Sequence, residues 1–213
     1  MKKTIFLFLL AFATVFTMNA QNENDNDTST SSQWKMRFRV ISVIPSPGDN
    51  LNIDGAEIAI STSFVPEVDF TYFFTENLAA ELILATTKHN VEVDINGGDN
   101  VDLGHAWLLP PTLNLQYHFT GGQVTPYIGA GVNYTIFYGV KSGDVDGIDY
   151  DSSFGFSFQG GLDYDLDDKW FINVDVKKIL LKTDVTVDTG EGLLPVEVDI
   201  NPLVVGLGAG FKF

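Results

Sequence analysis

Residues 64–87 read FVPEVDFTYFFTENLAAELILATT, and the alternation of their side chains is the strongest indication of the fold class. Side chains alternate with a period of two residues on both sides of the polar break at residues 75–77. One face is apolar and aromatic and consists of Val68, Phe70, Tyr72, Phe74, Ala80, Leu82 and Leu84. The other face consists of Glu67, Asp69, Thr71, Phe73, Ala79, Glu81 and Ile83. Strict alternation on both sides of a short turn predicts a β-hairpin.

The charged side chains of this hairpin lie in the middle of its strands. A soluble β-sandwich keeps its apolar face in the core and its charges in water. A membrane barrel instead turns apolar residues toward lipid and polar residues toward the lumen. The hairpin alone fits both architectures, so the remaining strands must decide between them.

The N-terminus predicts export. Lys2 and Lys3 precede an apolar stretch at residues 5–16 and a small-residue exit before Gln21, which is the pattern of a signal peptide over residues 1–20. The alternative, an uncleaved membrane anchor, lacks the run of about 20 apolar residues that a spanning helix needs. Residues 21–33 are polar and of low complexity and predict a disordered leader, which leaves 34–213 as one folded domain.

The composition excludes several classes of function. The formal net charge is −16, and it becomes −18 when residues 1–20 are removed, because they contain two lysines and no acidic residue. Such acidity argues against nucleic acid and anionic membrane surfaces as partners. The absence of cysteine excludes disulfides, thiol catalysis and thiolate metal sites. We expect no cofactor and no metal.

The whole domain alternates in the same way, and no segment shows a helical pattern. Eight strands are predicted: 34–43, the two strands of the hairpin, 107–119, 125–138, 154–164, one that starts after 167–169, and a last one that ends at 213. Three connections are short (75–77, 121–123 and 167–169), and four are long and mostly acidic (45–55, 91–104, 141–150 and 189–195). For 91–104, the alternative is that its start continues the second strand of the hairpin. This layout predicts an eight-stranded antiparallel up-and-down transmembrane β-barrel of the outer-membrane type, with short turns in the periplasm and long loops outside. Two adjacent lysines, Lys177 and Lys178, predict a bulge or the aqueous rim.

Four segments resemble the OmpW family of small outer-membrane β-barrel proteins: PEVDFTYFFTENLAAELILATT, LPPTLNLQYHF, PYIGAGVNYTIFY and GLGAGFKF. The resemblance covers residues 34–213. It implies an eight-stranded barrel in the cell outer membrane, with a narrow and partly hydrophobic lumen that passes small hydrophobic molecules into or across the membrane. The long loops resemble the family less, and we expect ligand choice to lie there. Gly208, Phe211 and Phe213 also resemble the terminal-strand signal by which the outer-membrane assembly machinery recognises such barrels.

Ten charged side chains are predicted to point into the lumen: Lys35, Arg37, Arg39, Lys177 and Lys212, with Glu67, Asp69, Glu81, Asp163 and Asp175. An eight-stranded barrel has an interior barely wide enough for side chains. Charges enclosed there are costly unless they are paired. We therefore expect an ion-pair network that plugs the barrel, and the alternative is a polar constriction that gates passage.

Apolar residues near the loops predict a hydrophobic entrance or constriction. Leu108, Leu109, Pro110, Leu193 and Leu194 lie at the loop-side ends of strands, and Phe73, Tyr127 and Phe137 are apolar residues that the alternation turns inward. The alternative for the loop-side residues is the upper lipid-facing rim.

The sequence thus predicts a barrel that forms a narrow channel or uptake path for small hydrophobic molecules and is not an enzyme. A non-transporting structural or surface-exposed barrel with a plugged lumen is the alternative. His118 and Thr120 faintly resemble the His-x-Ser of outer-membrane lipid A deacylases, but a threonine replaces the serine nucleophile and His118 lies near a periplasmic turn. The expected partners are outer-membrane lipid, small hydrophobic solutes and the assembly machinery.

Overall fold

The structure, a computed structural model, describes residues 33–48, 56–95 and 100–213. The signal peptide predicted over 1–20, and all but the last residue of the leader predicted over 21–33, lie outside the described residues. The strands are β1 (Trp34–Ile44), β2 (Ala56–Ile60), β3 (Ser63–Phe73), β4 (Leu78–Ala85), β5 (Thr87–Ile95), β6 (Val101–Leu109), β7 (Thr112–His118), β8 (Val124–Lys141), β9 (Gly147–Tyr150), β10 (Ser153–Asp165), β11 (Trp170–Asp188), β12 (Leu193–Asp199) and β13 (Leu203–Lys212). Within these ranges no helix is long and apolar enough to cross a membrane.

Eight of these strands close into a barrel. Each pairs antiparallel with the next in the order β1, β3, β4, β7, β8, β10, β11 and β13. β13 then pairs with β1 from Lys35↔Lys212 to Ile44↔Leu203, so the barrel sheet has no free edge. The prediction of an eight-stranded antiparallel up-and-down barrel is confirmed.

The two ends of the barrel differ. One end carries the short turns at residues 74–77, 119–123 and 166–169, and the backbones of Trp34 and Phe213 bind each other there at 2.9 and 3.1 Å. At the other end β8 and β11, which are 18 and 19 residues long, continue past the barrel. β6, β5 and β2 add to β8 in that extension, and β9 and β12 pair with the upper part of β11. Short turns face the periplasm in barrels of this type, so the extension is extracellular.

The polarity of the strand faces inverts along β11. In the barrel its inward side chains are Asn173, Asp175 and Lys177, and its outward ones are Ile172, Val174 and Val176. In the extension the inward side chains are Val185 and Val187, and the outward ones are Lys182, Asp184 and Thr186. An apolar outer face suits hydrocarbon and a polar outer face suits water, so the inversion marks where the strand leaves the membrane.

The outer face of the barrel is an apolar band. Phe38, Val40, Leu115, Phe156 and Leu207 each expose more than half of their surface there. Aromatic side chains gather at the end with the short turns, where Trp34 contacts Tyr72, Tyr117 contacts Phe119, and Trp170 contacts Phe211. Such aromatic girdles are typical of the boundary between hydrocarbon and water.

Several segments of the extension differ from their predicted structure. Residues 91–104, predicted as a loop, are largely strand, because β5 runs to Ile95 and β6 begins at Val101. Residues 147–150 and 193–195, also predicted as loop, belong to β9 and β12, and β2 had not been predicted. These segments are rich in acidic residues, which led to the prediction of loops. In a strand surrounded by water, however, the acidic side chains can occupy the outer face while apolar side chains occupy the inner face. The predicted loop at 45–55 falls mostly outside the described residues.

One further strand prediction was wrong, and one of two alternatives at another position is excluded. The strand predicted over 107–119 is interrupted, since β6 ends at Leu109 and β7 begins at Thr112. Pro110 and Pro111, which separate them, have no backbone N–H to donate to a ladder. At Lys177 and Lys178, where a bulge or the aqueous rim was predicted, β11 runs on without a change of register against β10, which excludes the bulge and leaves the rim as the prediction. Lys178 donates to the backbone oxygen of Asn201 beside the start of β13.

Candidate functional site

Arg37 lies at the centre of the barrel lumen. The alternation of β1 turns Lys35, Arg37 and Arg39 inward. Arg37 Nε donates to Asp69 Oδ1 at 2.7 Å, and its Nη2 donates to Glu81 Oε1 at 2.5 Å. Neither Arg37 nor its two partners has any solvent-exposed surface. Buried charges that are paired and hydrogen-bonded in this way avoid most of the cost of burial.

The other cations of the network hold carboxylates from several strands. Arg39 Nη2 lies 2.6 Å from Glu67 Oε1 and 2.9 Å from Asp69 Oδ2. Lys177 Nζ lies 3.4 Å from Glu67 Oε2 and 3.6 Å from Asp175 Oδ1. The described charges of this layer therefore form one connected set rather than separate pairs.

Some of these contacts cross the lumen. Lys35 on β1 donates to Asp163 Oδ2 on β10 at 2.9 Å. Glu81 on β4 accepts from Gln159 on β10 at 2.7 Å. We call the plug the inward set Lys35, Arg37, Arg39, Glu67, Asp69, Glu81, Asp163, Asp175 and Lys177, together with the amides Asn114, Gln116, Gln159 and Asn173. Because these side chains are buried and bridge facing walls, they fill the lumen at this level.

The four amides of the plug were not among the predicted site residues. Asn173 Nδ2 donates to Asp163 Oδ1 at 2.8 Å, and Asn114 Nδ2 donates to Glu81 Oε2 at 3.3 Å. The sequence signal for them was strand alternation, which already turned these residues inward, but they carry no charge to mark them as partners. Lys212, which was predicted to join the network, instead binds Asp165 at 2.7 Å near the periplasmic end.

Two residues predicted for the constriction belong to the plug region. Tyr127 is 1 % exposed and donates its hydroxyl to Asp175 Oδ2 at 2.8 Å, while its ring lies 5.3 Å from Arg37 Cζ. The ring of Phe73 lies 4.8 Å from that of His118 and 4.9 Å from Lys35 Nζ. The structure thus places both aromatic rings in the periplasmic half of the barrel, away from the loops.

Glycines let the plug pack against the wall. A Cβ at Gly208 on β13 would collide with the backbone oxygen of Phe38 on the neighbouring β1. A Cβ at Gly161 would lie 2.5 Å from the ring of Tyr127. Side-chain-free positions on β10 and β13 therefore make room for Tyr127 and for close pairing of the strands that close the barrel.

An apolar layer covers the plug on its extracellular side. It consists of Ile41, Val43, Ile179, Leu181, Ile200 and Val204, all buried, with Val65 and Phe137 packed against them. These residues lie between the charges of the plug below and the extension above. A solute arriving from outside therefore meets hydrocarbon side chains before it meets a charge.

Above this layer the extension encloses a cavity of about 220 Å³, which we call the chamber. One side of its lining comes from Val91, Val93, Leu103 and Leu108 on β5 and β6, and the other comes from Val185, Val187, Val196 and Val198 on β11 and β12. Of the predicted entrance residues, Leu108, Phe137 and Leu194 line the chamber. Leu109 and Leu193 are exposed, the latter by 70 %.

Four of the described lining residues of the chamber carry polar side-chain atoms: His89, Tyr150, Thr183 and Thr189. His89 Nδ1 donates to the backbone oxygen of Ser61 at 2.6 Å, which leaves Nε2 to accept from Thr87 Oγ1 at 3.1 Å. Burial lowers the pKa of His89, so its ring is neutral at physiological pH. The Tyr150 ring stacks on that of Phe137 with centroids 5.2 Å apart.

A second cavity of about 50 Å³ lies between the chamber and the plug. It shares His89, Leu108 and Ile200 with the chamber, and Glu67 and Lys177 of the plug line its other side. Pro110, which was predicted for the entrance, lines this smaller cavity rather than the chamber. The two cavities thus share part of their lining, and the smaller one reaches the charges of the plug.

The wall beside the smaller cavity has a break in its hydrogen-bond ladder. β4 and β7 pair as far as Ile83↔Thr112, and β5 and β6 pair from Thr87↔Leu108 onward. Residues 84–86 therefore face residues 109–111 without a ladder pair, and a bond from Thr86 Oγ1 to Leu108 O at 3.1 Å joins the two sides. In the described part of the chain, no group of three or more histidine and acidic side chains is arranged to hold a metal ion.

Comparison with known proteins places the chain among outer-membrane barrels. It is 43 % identical to the outer-membrane protein y4mB of Sinorhizobium fredii over 84 % of this chain and 80 % of that protein. It is 32 % identical to outer membrane protein W of Vibrio cholerae, over 84 % of this chain and 87 % of that one. The crystal structure of OprG from Pseudomonas aeruginosa superposes with a TM-score of 0.79 at 26 % identity, over 89 % of this chain and 99 % of OprG.

A shorter match is to a relative whose name refers to a metabolic operon. The dibenzothiophene metabolism operon protein PahQ of Pseudomonas aeruginosa is 32 % identical over 53 % of this chain and 54 % of its own length. The model of the OmpW family matches residues 31–213, which is all of the barrel and its extension. The chain is therefore a member of the OmpW family and a β-barrel of the outer membrane.

Proposed function

We propose that this barrel takes up small hydrophobic molecules through the chamber and releases them sideways into the membrane above the plug. The observation that carries the proposal is the vertical order inside the molecule. An apolar chamber of about 220 Å³ lies outside, and a filled, charged plug lies beneath it. An apolar cavity with few polar groups is the usual form of a site for a hydrophobic small molecule.

The plug argues against passage straight through the lumen. A hydrophobic molecule that passed Arg37 and Glu81 would have to separate ions whose contact at 2.5 Å has no solvent exposure. It would leave both charges unpaired in the interior, which costs several kcal/mol. Release above the plug avoids that cost.

The wall break offers a sideways route. Residues 84–86 and 109–111 lie beside the smaller cavity, which Ala85 and Pro110 line. Because no ladder pair joins these two stretches, the strands can part there with the loss of few backbone hydrogen bonds. The outer face at this level is apolar, with Leu84 and Leu109 exposed, so an escaping solute would enter hydrocarbon. The name of PahQ, a relative associated with the metabolism of an aromatic sulfur heterocycle, also supports hydrophobic cargo.

A test compares two tryptophan substitutions on the same strand. Val187 is 8 % exposed and lines the chamber, whereas its neighbour Thr186 points outward. We expect Val187→Trp to fill the chamber and to lower uptake of radiolabelled octane by cells to the level of cells without the barrel. Thr186→Trp should leave uptake unchanged. Equal uptake by both variants, with equal amounts of folded barrel, would contradict the proposal.

The second candidate function is a structural barrel that transports nothing. The observation in its favour is the plug, since a filled lumen is what such a barrel needs. The same experiment separates the two. If cells with the unaltered barrel took up octane no faster than cells without it, the structural role would be the better account.

We propose no catalytic role. His118, the histidine of the deacylase-like pattern, is fully buried near the periplasmic end, with its Nε2 2.9 Å from Gln116 Oε1 and its ring stacked on Tyr127. A residue in that position is far from the outer-leaflet lipid on which a deacylase acts.

Gly208, Phe211 and Phe213 are proposed to serve recognition by the assembly machinery. They lie on or next to β13, the strand that closes the barrel against β1. We expect Phe213→Ala to lower the amount of assembled barrel in the outer membrane, and Phe154→Ala, which removes another exposed phenylalanine, to lower it less. Equal yields from both variants would remove any special role of the terminal residue.

A further inference from the structure

Three of the described residues line both cavities and lie where one cavity meets the other. They are His89 on β5, Leu108 on β6 and Ile200 in the connection between β12 and β13. Each is at most 8 % exposed. We call these three residues the neck. Because the wall break lies beside the smaller cavity, a solute that leaves the chamber by the proposed route has to pass the neck.

The residues of the neck are held in place by hydrogen bonds. The ring of His89 is bonded at both nitrogens, at 2.6 and 3.1 Å. Ile200 donates its N–H to the backbone oxygen of Leu181 at 2.9 Å and accepts at its own carbonyl from the N–H of Ser46 at 3.0 Å. Leu108 lies inside a sheet, paired with β5 on one side and β8 on the other. An apolar passage with such fixed walls discriminates between solutes by their width.

The space on the two sides of the neck is unequal. At roughly 30 Å³ per water-sized group, the chamber of about 220 Å³ holds on the order of seven such groups, and the smaller cavity of about 50 Å³ holds one or two. A compact, branched molecule that fills the chamber therefore does not fit the smaller cavity. The end of a straight alkyl chain, which is one methylene wide, fits there while the rest of the chain remains in the chamber.

We propose that the neck determines the specificity of uptake, and that it passes slender, unbranched chains but holds back compact, branched hydrocarbons that the chamber binds equally well. This inference rests on the proposed function, because it concerns the cargo of the same route. A straight chain advances end first past Leu108 and Ile200, and its leading methyl group reaches the wall break, where Ala85 and Pro110 line the smaller cavity. A tert-butyl group has to push the side chains of the neck apart and is retained in the chamber.

Two isomers isolate the width of the solute. The straight chain n-octane and the branched 2,2,4-trimethylpentane have the same formula, but the second carries a tert-butyl group. Binding is measured with the full-length barrel in lipid nanodiscs, and empty nanodiscs correct for partition into lipid. We expect similar affinities, because the two isomers bury similar apolar areas.

Uptake of the two isomers is measured with radiolabelled solutes in cells, and the uptake by cells without the barrel is subtracted. We expect the branched isomer to be taken up at least about tenfold more slowly than n-octane, because excess width in a fixed apolar pocket is strongly rejected. Since the branched isomer occupies the chamber without leaving it downward, it should also inhibit the uptake of n-octane.

Two leucine variants on β6 locate the discrimination. Leu108→Ala widens the neck, whereas Leu103→Ala removes the same atoms from a residue that lines the chamber but not the smaller cavity. Per folded barrel, Leu108→Ala should raise the uptake of the branched isomer toward that of n-octane, and Leu103→Ala should leave the branched isomer excluded. Leu108→Val makes a smaller change at the same position, and it replaces Leu108→Ala if that variant yields too little folded barrel.

The outcomes separate this inference from the function on which it rests. Equal uptake of the two isomers by the natural chain, or weak binding of the branched isomer in the chamber, would overturn the role of the neck. So would continued exclusion of the branched isomer in the folded Leu108 variant, or its release in Leu103→Ala. In each of these cases n-octane is still taken up, and the proposed function stands. If cells with the natural chain take up n-octane no faster than cells without it, the proposed function fails and the inference fails with it.

Discussion

Lys177 and Val185 point into the same interior from the same face of β11, yet one lies among charges and the other among hydrocarbon. Lys177 Nζ is 3.4 Å from a carboxylate oxygen of Glu67, whereas Val185 is 4 % exposed and lines the chamber. Between them, Ile179 and Leu181 belong to the apolar layer. One strand therefore joins the plug to the chamber and fixes the order in which a solute meets them.

Glu81 holds the plug together. Its carboxylate accepts from Arg37 at 2.5 Å, from Gln159 at 2.7 Å and from Asn114 at 3.3 Å, and all four residues are buried. We expect Glu81→Gln to leave buried cations uncompensated and to lower the free energy of unfolding by roughly 3–5 kcal/mol. Urea unfolding of the barrel in lipid measures this loss of stability.

The control for Glu81 is an ion pair in water. Lys182 and Glu197 lie 2.9 Å apart, and each side chain is more than half exposed. Glu197→Gln should change the free energy of unfolding by less than about 1 kcal/mol. Similar losses in the two variants would mean that the plug does not contribute more than a surface pair.

Gly161 and its neighbour Gly160 provide a second matched pair. A Cβ at Gly161 would lie 2.5 Å from Tyr127 Cζ and 2.6 Å from the backbone oxygen of Val174, and Tyr127 is held by Asp175. A Cβ at Gly160 would find its nearest neighbour at 3.8 Å. We expect Gly161→Ala to lower the free energy of unfolding by about 1–3 kcal/mol and Gly160→Ala to have little effect. Thermal unfolding in lipid measures the difference, and equal unfolding temperatures for the two variants would contradict the prediction.

We expect His89 to make the extension sensitive to acid. Its pKa in the folded state is lowered by burial, so the native form binds a proton less readily than the unfolded form. As the pH falls below the unfolded pKa of about 6.5, protonation therefore favours opening of β5 and β6. After correction for the intrinsic effect of pH, the opening equilibrium measured by hydrogen exchange of the amides in these strands should increase as the pH falls from 7 to 5.

The matching variant for His89 is His89→Gln, which keeps a donor and an acceptor and cannot titrate. Its exchange rates in β5 and β6, corrected for the intrinsic effect of pH, should change less between pH 7 and pH 5 than those of the natural chain. The acidic side chains of the extension remain in both proteins. If the two proteins showed the same acceleration, acidic groups rather than His89 would be responsible.

The barrel strands could be predicted from the sequence because of the way membrane barrels bury apolar and polar residues. In hydrocarbon the outer face must be apolar, so the inward charges Glu67, Asp69 and Glu81 stand out against Val68, Phe70 and Leu82. Backbone groups in lipid must also be paired, which makes strand number and closure predictable. The barrel strands and the inward faces of the predicted lumen charges could therefore be assigned without coordinates.

The extension was not predictable by the same rule, because water surrounds it. In β5 the inward residues Val91 and Val93 alternate with Glu92 and Asp94, and that pattern was interpreted as an acidic loop. The alternation of a strand was therefore present, but with the opposite polarity from the barrel: here the apolar side chains face inward and the acidic ones outward. The ladder break at residues 109–111 depends on contacts between distant strands, and no local pattern contains it.

Pro110 and Pro111 lie at the break in the ladder on the proposed exit route. A double variant, Pro110→Ala with Pro111→Ala, restores two backbone N–H groups opposite residues 84–86. We expect a more closed ladder, slower octane uptake and unchanged octane binding in the chamber. Pro126→Ala, at an exposed position of β8 in the barrel, is the control and should leave uptake unchanged. Unchanged uptake in the double variant would place the exit elsewhere.

The central claim is that the plug closes the lumen and that solutes use only the space above it. Single-channel recording of the purified, folded barrel in a planar bilayer tests this most directly. Because Arg37, Asp69 and Glu81 interlock without exposed surface, we expect no discrete ion-conducting openings, with or without octane. Discrete openings that octane blocks would show a continuous passage through the lumen and would contradict the account.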